Sequence, residues 1–303
     1  MKRLAKKHRK YYFRFFSGEW SAKRSSPEKI IGSYISASAK YLKALELGLQ
    51  RSMEYRVNFL LGIVSFIFPL TIQFFLWTAV FDNASNKTVY GYTYSQMIIY
   101  TILAALISRL VSAGFEWEVA DDIKNGGLNK YIIKPLGYYQ YRISCFLGQK
   151  ISHLFMIVLL IACVLVFFSI RFGFNVDPER ILLFSITIIF AIVLNFTIVF
   201  CMSMLAFWLN EVWGAFVAFS LSVNIISGGL FPLEVFGNAA LKIFGLLPFQ
   251  YTIYFPINVI NGKVDLINIV QGIAIQAVWI ILLTFFAKFL WGTGIKKFVA
   301  IGG

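Results

Sequence analysis

Six apolar runs decide what this chain can fold into. Val57 to Phe81, Ser95 to Gly114, Ile151 to Ile170, Ile181 to Leu209, Val212 to Leu230 and Leu266 to Trp291 carry only two charged side chains between them, Arg109 and Lys288. Crossing the hydrocarbon core of a bilayer takes about 20 mainly apolar residues in a helix. Backbone groups inside that core must find their partners within the protein, which leaves helices as the form such runs take. Composition agrees: 59% of the residues are hydrophobic and 14% charged, where a soluble domain carries about a quarter charged. The expected fold class is an all-α membrane protein with six transmembrane helices. Its fourth and fifth spans are separated only by Asn210 and Glu211, as in a tight helical hairpin.

A formal net charge of +14 raises the question of nucleic acid, and the distribution answers it. Fourteen of the 28 Lys and Arg precede the first apolar run, the pattern of a segment held at an anionic membrane surface and not of a nucleic-acid-binding domain. With the N-terminus placed in the cytoplasm, the inner segments (1–56, 115–150, 210–211 and 292–303, counting Lys288) hold 22 Lys and Arg against 5 in the outer ones. Basic residues close to the spans favour the cytoplasmic side. Both termini are therefore expected inside, in a multi-pass protein of the inner (cytoplasmic) membrane. A basic start of about 56 residues is too long for the n-region of a cleavable signal.

Ahead of the first span, Leu42, Leu45, Leu49 and Met53 recur at helical spacing among charged residues. The pattern predicts an amphipathic helix in the inner interface. "KKHRKYYFRFFSGEW" interleaves basic and aromatic residues and is expected to meet anionic lipid, and "SAKRSSPEK" reads as a linker. The expected organisation is a basic cytoplasmic tail (1–33), an interfacial helix (34–56) and a six-span domain (57–303). A cytoplasmic loop over 115–150 interrupts that domain, as does an outer segment over 231–256. The outer segment is too apolar for a free loop and is cut by Gly228, Gly229, Pro232, Gly237, Pro248 and Pro256. Broken helices at membrane depth persist against protein or a water-filled cavity. A pair of short re-entrant helices between Phe231 and Phe249, dipping in from the outer face, is the expectation.

Much familiar chemistry is missing. There is no GxxxxGK[ST] phosphate loop, no HExxH and no GxSxG. Cys145, Cys163 and Cys201 match no metal or disulfide spacing, and two His make a His-based metal site improbable. Glu116 and Glu118, then Asp121 and Asp122, are acidic pairs near a membrane face. A membrane-embedded metal-dependent transferase would use them, but they lack a second acidic cluster beside them. The spans hold no Asp or Glu away from their ends, so proton or ion coupling has no relay. Their interior polar residues are Gln73, Asn195, Asn224 and Gln276, with scattered Ser and Thr. An ATP-independent channel or carrier stays open on this evidence. Arg109, about a turn and a half from the inner end of its span, suits either snorkelling to the interface or an inner gate.

The interior polar insert "DDIKNGGLNKYIIKPLGYYQYR" places Leu128, Tyr131 and Ile132 at i, i+3, i+4 between Gly126-Gly127 and Pro135. An apolar face ringed by charge has the anatomy of a docking site. The insert resembles the loop between spans two and three of ABC-2-type transporter permeases, with its acidic start, its G-x-L turn and its K-P close. "GGLFPLEVF" followed by "LPFQYTIYFPINVINGK" is similar to the late outer segment of the ABC-2 subgroup long labelled a domain of unknown function. The resemblance runs over about residues 35–300 and leaves the basic tail before residue 30 unmatched.

That resemblance implies a type V exporter-like permease, half of an ATP-binding cassette (ABC) exporter. ATP and Mg²⁺ would be bound by separate ABC ATPase subunits, with no cofactor on this chain. The permease would pair with a second permease, identical or different. Asp121, Asp122, Lys124, Leu128, Tyr131, Ile132 and Pro135 would sit in or beside the ATPase groove as a coupling helix. Asn224, Gly228, Gly229, Phe231, Pro232, Phe236, Pro248 and Phe249 would form the outer gate and re-entrant segment, and Arg109 the inner gate. The cargo implied is amphipathic, lipid-like or drug-like.

Overall fold

A computed structural model describes residues 39–51, 56–85, 87–132, 137–172 and 177–298, with the backbone alone at 56–66, 132, 152 and 172. The tail over 1–33, Met53 and Pro135 lie outside the described residues. Helix α1 covers 39–51, and α2 runs Arg56–Asp82. A two-residue hairpin, β1 (Thr88–Val89) with β2 (Tyr92–Thr93), pairs Thr88 with Thr93 and Val89 with Tyr92. There follow α3 (Tyr94–Val111), α4 (Glu116–Lys124), α5 (Asn129–Ile132), α6 (Tyr138–Phe172) and α7 (Pro178–Ser203). The chain closes with α8 (Trp213–Ile226), α9 (Gly237–Gly245), α10 (Tyr254–Ile260) and α11 (Leu266–Gly294), with 3₁₀ turns at Met204–Phe207, Leu233–Phe236 and Phe249–Tyr251.

The protein is thus an all-α chain with several long apolar helices. Among the described residues four stretches are long and apolar enough to cross a membrane: Tyr94–Lys124, His153–Arg171, Pro178–Phe207 and Leu266–Gly294. Ile67–Asp82, the part of α2 whose side chains are described, and Trp213–Ile226 are shorter apolar helices. The expected fifth run, Val212 to Leu230, is therefore shorter as a helix: α8 has 14 residues and ends at Ile226. Gly228 ends it, with φ +80° and no room for a β-carbon beside the Tyr100 hydroxyl and Tyr254.

The chain beyond the break returns to it. The Tyr254 amide donates to the Ser227 carbonyl at 2.9 Å, so α10 starts where α8 stopped. The Tyr100 hydroxyl, on the middle of α3, donates to the Gly228 carbonyl at 2.7 Å. At the other end of α10, Asn261 donates to the carbonyl of Gln96, in the first turn of α3, at 3.4 Å. Helices α8 and α10 thus run in one direction as two pieces of an interrupted helix. Residues 228–253 are an excursion between them.

Local chemistry sets the ends of α3. Thr93 and Gln96 form a reciprocal capping box: the Thr93 hydroxyl accepts from the Gln96 amide, and the Gln96 side chain accepts from the Thr93 amide at 3.0 Å. At the far end Asn195 of α7 donates to the Val111 carbonyl at 2.6 Å, satisfying a group that the helix end leaves open. Helix α11 packs along α7 and is fixed by Gln276, wholly buried, which donates to the Thr187 and Tyr251 carbonyls at 3.1 and 2.8 Å.

Candidate functional site

A cavity of about 450 Å³ opens beside the break between α8 and α10. Its wall is drawn from α2 (Pro69, Leu70, Gln73), α3 (Ser108, Arg109), α4 (Glu116), α7 (Asn195, Met202) and α8 (Phe216, Phe219, Asn224), and from Ser227, Gly229 and Ile253 at the break. Three amide side chains from within the apolar runs, Gln73, Asn195 and Asn224, thus meet in one place. Pro69 lies on the cavity inside α2, at a point where a helix loses one rung of its hydrogen-bond ladder. Gly229 sits against Asn224 and Ser108; a β-carbon there would stand 3.1 Å from the Ser108 hydroxyl.

Among the described residues, Arg109 and Glu116 are the charged groups on the wall. The Ser108 hydroxyl and one carboxylate oxygen of Glu116 (Oε2) are buried without a hydrogen-bond partner. Neither signal is readable from sequence, because Glu116 lies beyond the kink at Ser112–Phe115 and only the fold turns it inward.

The excursion adjoins the cavity through aromatic contacts. Phe231 meets Trp77 of α2 edge-on at 6.2 Å, and Phe249 meets Phe219 of α8 at 6.2 Å. Phe236 contacts Phe244 within the excursion and is exposed. Pro232 precedes the first 3₁₀ turn and Pro248 the second. Glu234 anchors this segment. It accepts from the Tyr254 hydroxyl at 2.8 Å and the Tyr92 hydroxyl at 3.2 Å, and pairs with Lys263 at 3.2 Å. The Lys263 ammonium also lies 3.2 Å from the centre of the Tyr92 ring. Burial holds it below the usual lysine range, with the Glu234 charge opposing that shift.

On the other side, the loop after α3 is built on a buried ion-pair cluster. Arg142 of α6 contacts Glu118 at 2.5 Å, pairs with Asp122, and donates to the Tyr138 hydroxyl at 3.0 Å. Tyr138 donates to Asp122 at 2.8 Å; Lys130 pairs with Asp122 at 3.2 Å and Arg51 with Glu118 at 3.3 Å. Burial pulls the Arg142 proton affinity down, and Tyr138 and Asp122 outweigh it, so the guanidinium holds its proton more tightly than usual. One cluster ties α1, α4, α5 and α6 together.

This cluster changes the reading of the loop. Asp122 is 4% exposed and Leu128 is wholly buried in the chain's own core, so both support the loop from beneath instead of presenting an anchor. Tyr131 is half-buried against Tyr138 and Tyr141, with ring centres 5.0 and 4.9 Å away. Of Ile132 only the backbone is described. Asp121, Asn125 and Lys130 are exposed and Lys124 is part-exposed, reaching the Asn210 carbonyl between α7 and α8. The turn at Gly126-Gly127 falls where expected, but α5 is a single helical turn of four residues. Glu116 faces the cavity and Glu118 the ion-pair cluster, so the two do not converge. No group of three or more His, Cys, Asp and Glu that could hold a metal occurs among the described residues.

Long apolar helices around an interior cavity with a few polar groups on its wall, and an interrupted helix at its edge, are consistent with a membrane transport protein. The chain belongs to the ABC-2 family of transporters: the family model, described as ABC-2 family transporter protein, matches residues 67–302. It is accordingly a transmembrane permease and not an enzyme. A search of curated proteins returns no match.

Proposed function

We propose that this chain is the permease subunit of an ABC exporter that moves an amphipathic substrate across the cytoplasmic membrane. Separate ABC ATPase subunits, which bind ATP and Mg²⁺, supply the energy, and a second permease completes the assembly. The observation that carries the reading is the cavity beside the α8–α10 break, next to a loop that one ion-pair cluster ties to α1 and α6. A motor can bias a cavity only through a stiff element that has different contacts in the two states.

Six crossings follow if α8 and α10 count as one. Together they hold 21 residues, about 31 Å at 1.5 Å per residue, which matches a hydrocarbon core of about 30 Å. Residues 228–253 would then be the re-entrant segment of the outer half, with the Trp77–Phe231 and Phe219–Phe249 pairs as its outer gate. Arg109 lies on the inner part of the cavity as the inner gate. The excess of Lys and Arg on the inner segments supports cytoplasmic termini.

The ATPase contact falls to the exposed members of the loop, Asp121, Asn125 and Lys130, with the part-exposed Lys124 beside them. Asp122 and Leu128, and with them Tyr131, hold that surface in place, and Pro135 would close it. The test is retention of the co-expressed ATPase on the purified permease. Asp121→Lys with Lys130→Glu should release the ATPase while the permease stays folded. Full retention by that variant would sink the assignment of the surface, and an unaltered permease that never retains an ATPase would sink the exporter reading.

A further inference from the structure

We infer that Trp117 couples the loop after α3 to the cavity wall: its ring holds Phe216, so the inner end of α8 is carried with α4 when α4 moves. This rests on the exporter reading and names the positioning residue through which the motor's stroke reaches the cavity.

Helix α4 belongs both to the cavity and to the loop surface assigned to the ATPase. Glu116, its first residue, lines the cavity, while Asp121 and the following Asn125 are exposed on the loop. Its nine residues span about 13 Å at 1.5 Å per residue. So short a helix, tied to Arg142 through Glu118 and Asp122, moves as one piece. Trp117 follows Glu116 and turns toward α8. It meets Phe216 edge-on, with ring centres 5.1 Å apart, although Trp117 itself is 41% exposed.

Helix α8 is loosely held by comparison with its neighbours. Phe216 is the only buried residue among its fourteen, whereas half of the 26 residues of α7 are buried. Its outer half leans on the 3₁₀ turn Phe249–Tyr251, where Phe219 meets Phe249. At its inner end two ties come from α4. One is the Trp117–Phe216 contact, a geometry that holds beyond the area it buries. The other is the bond from Lys124, the last residue of α4, to the Asn210 carbonyl just ahead of α8. The far end of α8 stops at Gly228, where the open ladder supplies a hinge. Phe216, Phe219, Ser220, Val223 and Asn224 line the cavity, so a swing of α8 about that hinge reshapes it.

The test uses the full-length permease with Cys145, Cys163 and Cys201 replaced, alone and with its co-expressed ATPase. In the permease alone, a nitroxide at Gly214→Cys reports the mobility of the inner end of α8; a β-carbon there meets nothing within 4 Å. Trp117→Ala should raise that mobility, and Trp117→Phe, which keeps a ring, should not. In the complex, Ser220→Cys on the cavity wall should react with a small thiol reagent at different rates without nucleotide and with ATP and vanadate. A difference of about fivefold or more is expected, the lower edge of ordinary coupling between two sites. Trp117→Ala should abolish that difference while the ATPase stays bound and hydrolyses ATP, and Trp117→Phe should keep most of it. Trp117→Leu gives the same reading should the alanine variant fold poorly. Unchanged nitroxide mobility in Trp117→Ala overturns the inference. So does a rate difference at Ser220→Cys that is absent from the unaltered complex or survives in the alanine variant. An unaltered permease that never retains an ATPase overturns the exporter reading instead, and the nitroxide alone then decides whether α4 holds α8.

Discussion

Gly228 meets two demands at one residue. Its φ of +80° is a conformation that side chains with a β-carbon resist, and such a carbon would stand 2.6 Å from the Tyr100 hydroxyl and 2.8 Å from the Tyr254 β-carbon. Gly228→Ala should therefore cost about 3 kcal/mol, the sum expected for a strained backbone and a steric shift. A fall in the thermal midpoint of the detergent-solubilised protein checks it, and an unchanged midpoint would contradict the geometry of the break. Arg142 carries a different lesson. Arg142→Ala strands Asp122 as a buried, largely unpaired charge and should cost about 3–5 kcal/mol. Replacing both, Arg142→Met with Asp122→Leu, should recover part of that loss, because an apolar pair needs no partner, while the buried Tyr138 hydroxyl loses both of its bonds. By contrast, Lys130→Ala removes a mostly exposed cation and should change stability by less than about 1 kcal/mol. Three unfolding curves decide between a cluster held by its buried pair and one held by its rim.

Between elements, small residues fix the closest approach. Helix α1 crosses the start of α6 where Gly48 faces the Cys145 carbonyl and Gly148 faces Leu45, and a β-carbon at either glycine would collide with the other helix's backbone. Small residues permit this backbone-to-backbone contact. Gly148→Leu should push α1 off α6 and break the Arg51–Glu118 pair. The expected readout is faster proteolysis around 52–55 with the remaining helices protected, and an unaltered cleavage rate would show that α1 docks by other means. These contacts explain what was legible in the sequence. Leu42, Leu45 and Leu49 announced a helix by their spacing, but spacing says nothing of what the helix meets: Leu42 is 65% exposed, while Ala44, outside the stripe, is buried. Leu128 misleads for the same reason, since an i, i+3, i+4 face looks alike whether it turns to a partner or to the chain's own core. The apolar runs were readable because length and charge alone define them. The interrupted helix was not, because nothing local says that Tyr254 returns to Ser227 after an excursion. Glu234 carries no local signal, because its partners Tyr92 and Lys263 come from other parts of the chain.

Across the whole molecule, two ion-pair clusters sit toward opposite ends of α3. The Glu234, Tyr92, Tyr254 and Lys263 cluster lies at the hairpin end of α3, and the Arg142, Glu118 and Asp122 cluster beyond its other end. Between them run α3, whose ends both are capped, and the interrupted pair α8 and α10. An uninterrupted helix transmits a displacement along its axis, whereas an interrupted one can hinge where its ladder is open. Movement of the loop after α3 should thus be felt at the break, where Gly229 and Asn224 face the cavity, before it reaches the Glu234 cluster. This arrangement requires the two clusters to face opposite sides of the membrane, and that is directly measurable. With Cys145, Cys163 and Cys201 replaced, Asn125→Cys should react with a membrane-impermeant thiol reagent only from the cytoplasmic side. Asn238→Cys, exposed at the start of α9, should react only from outside. Labelling of both positions from one side would place the two clusters on the same face, and the cavity would then have no inner and outer end to be opened in turn.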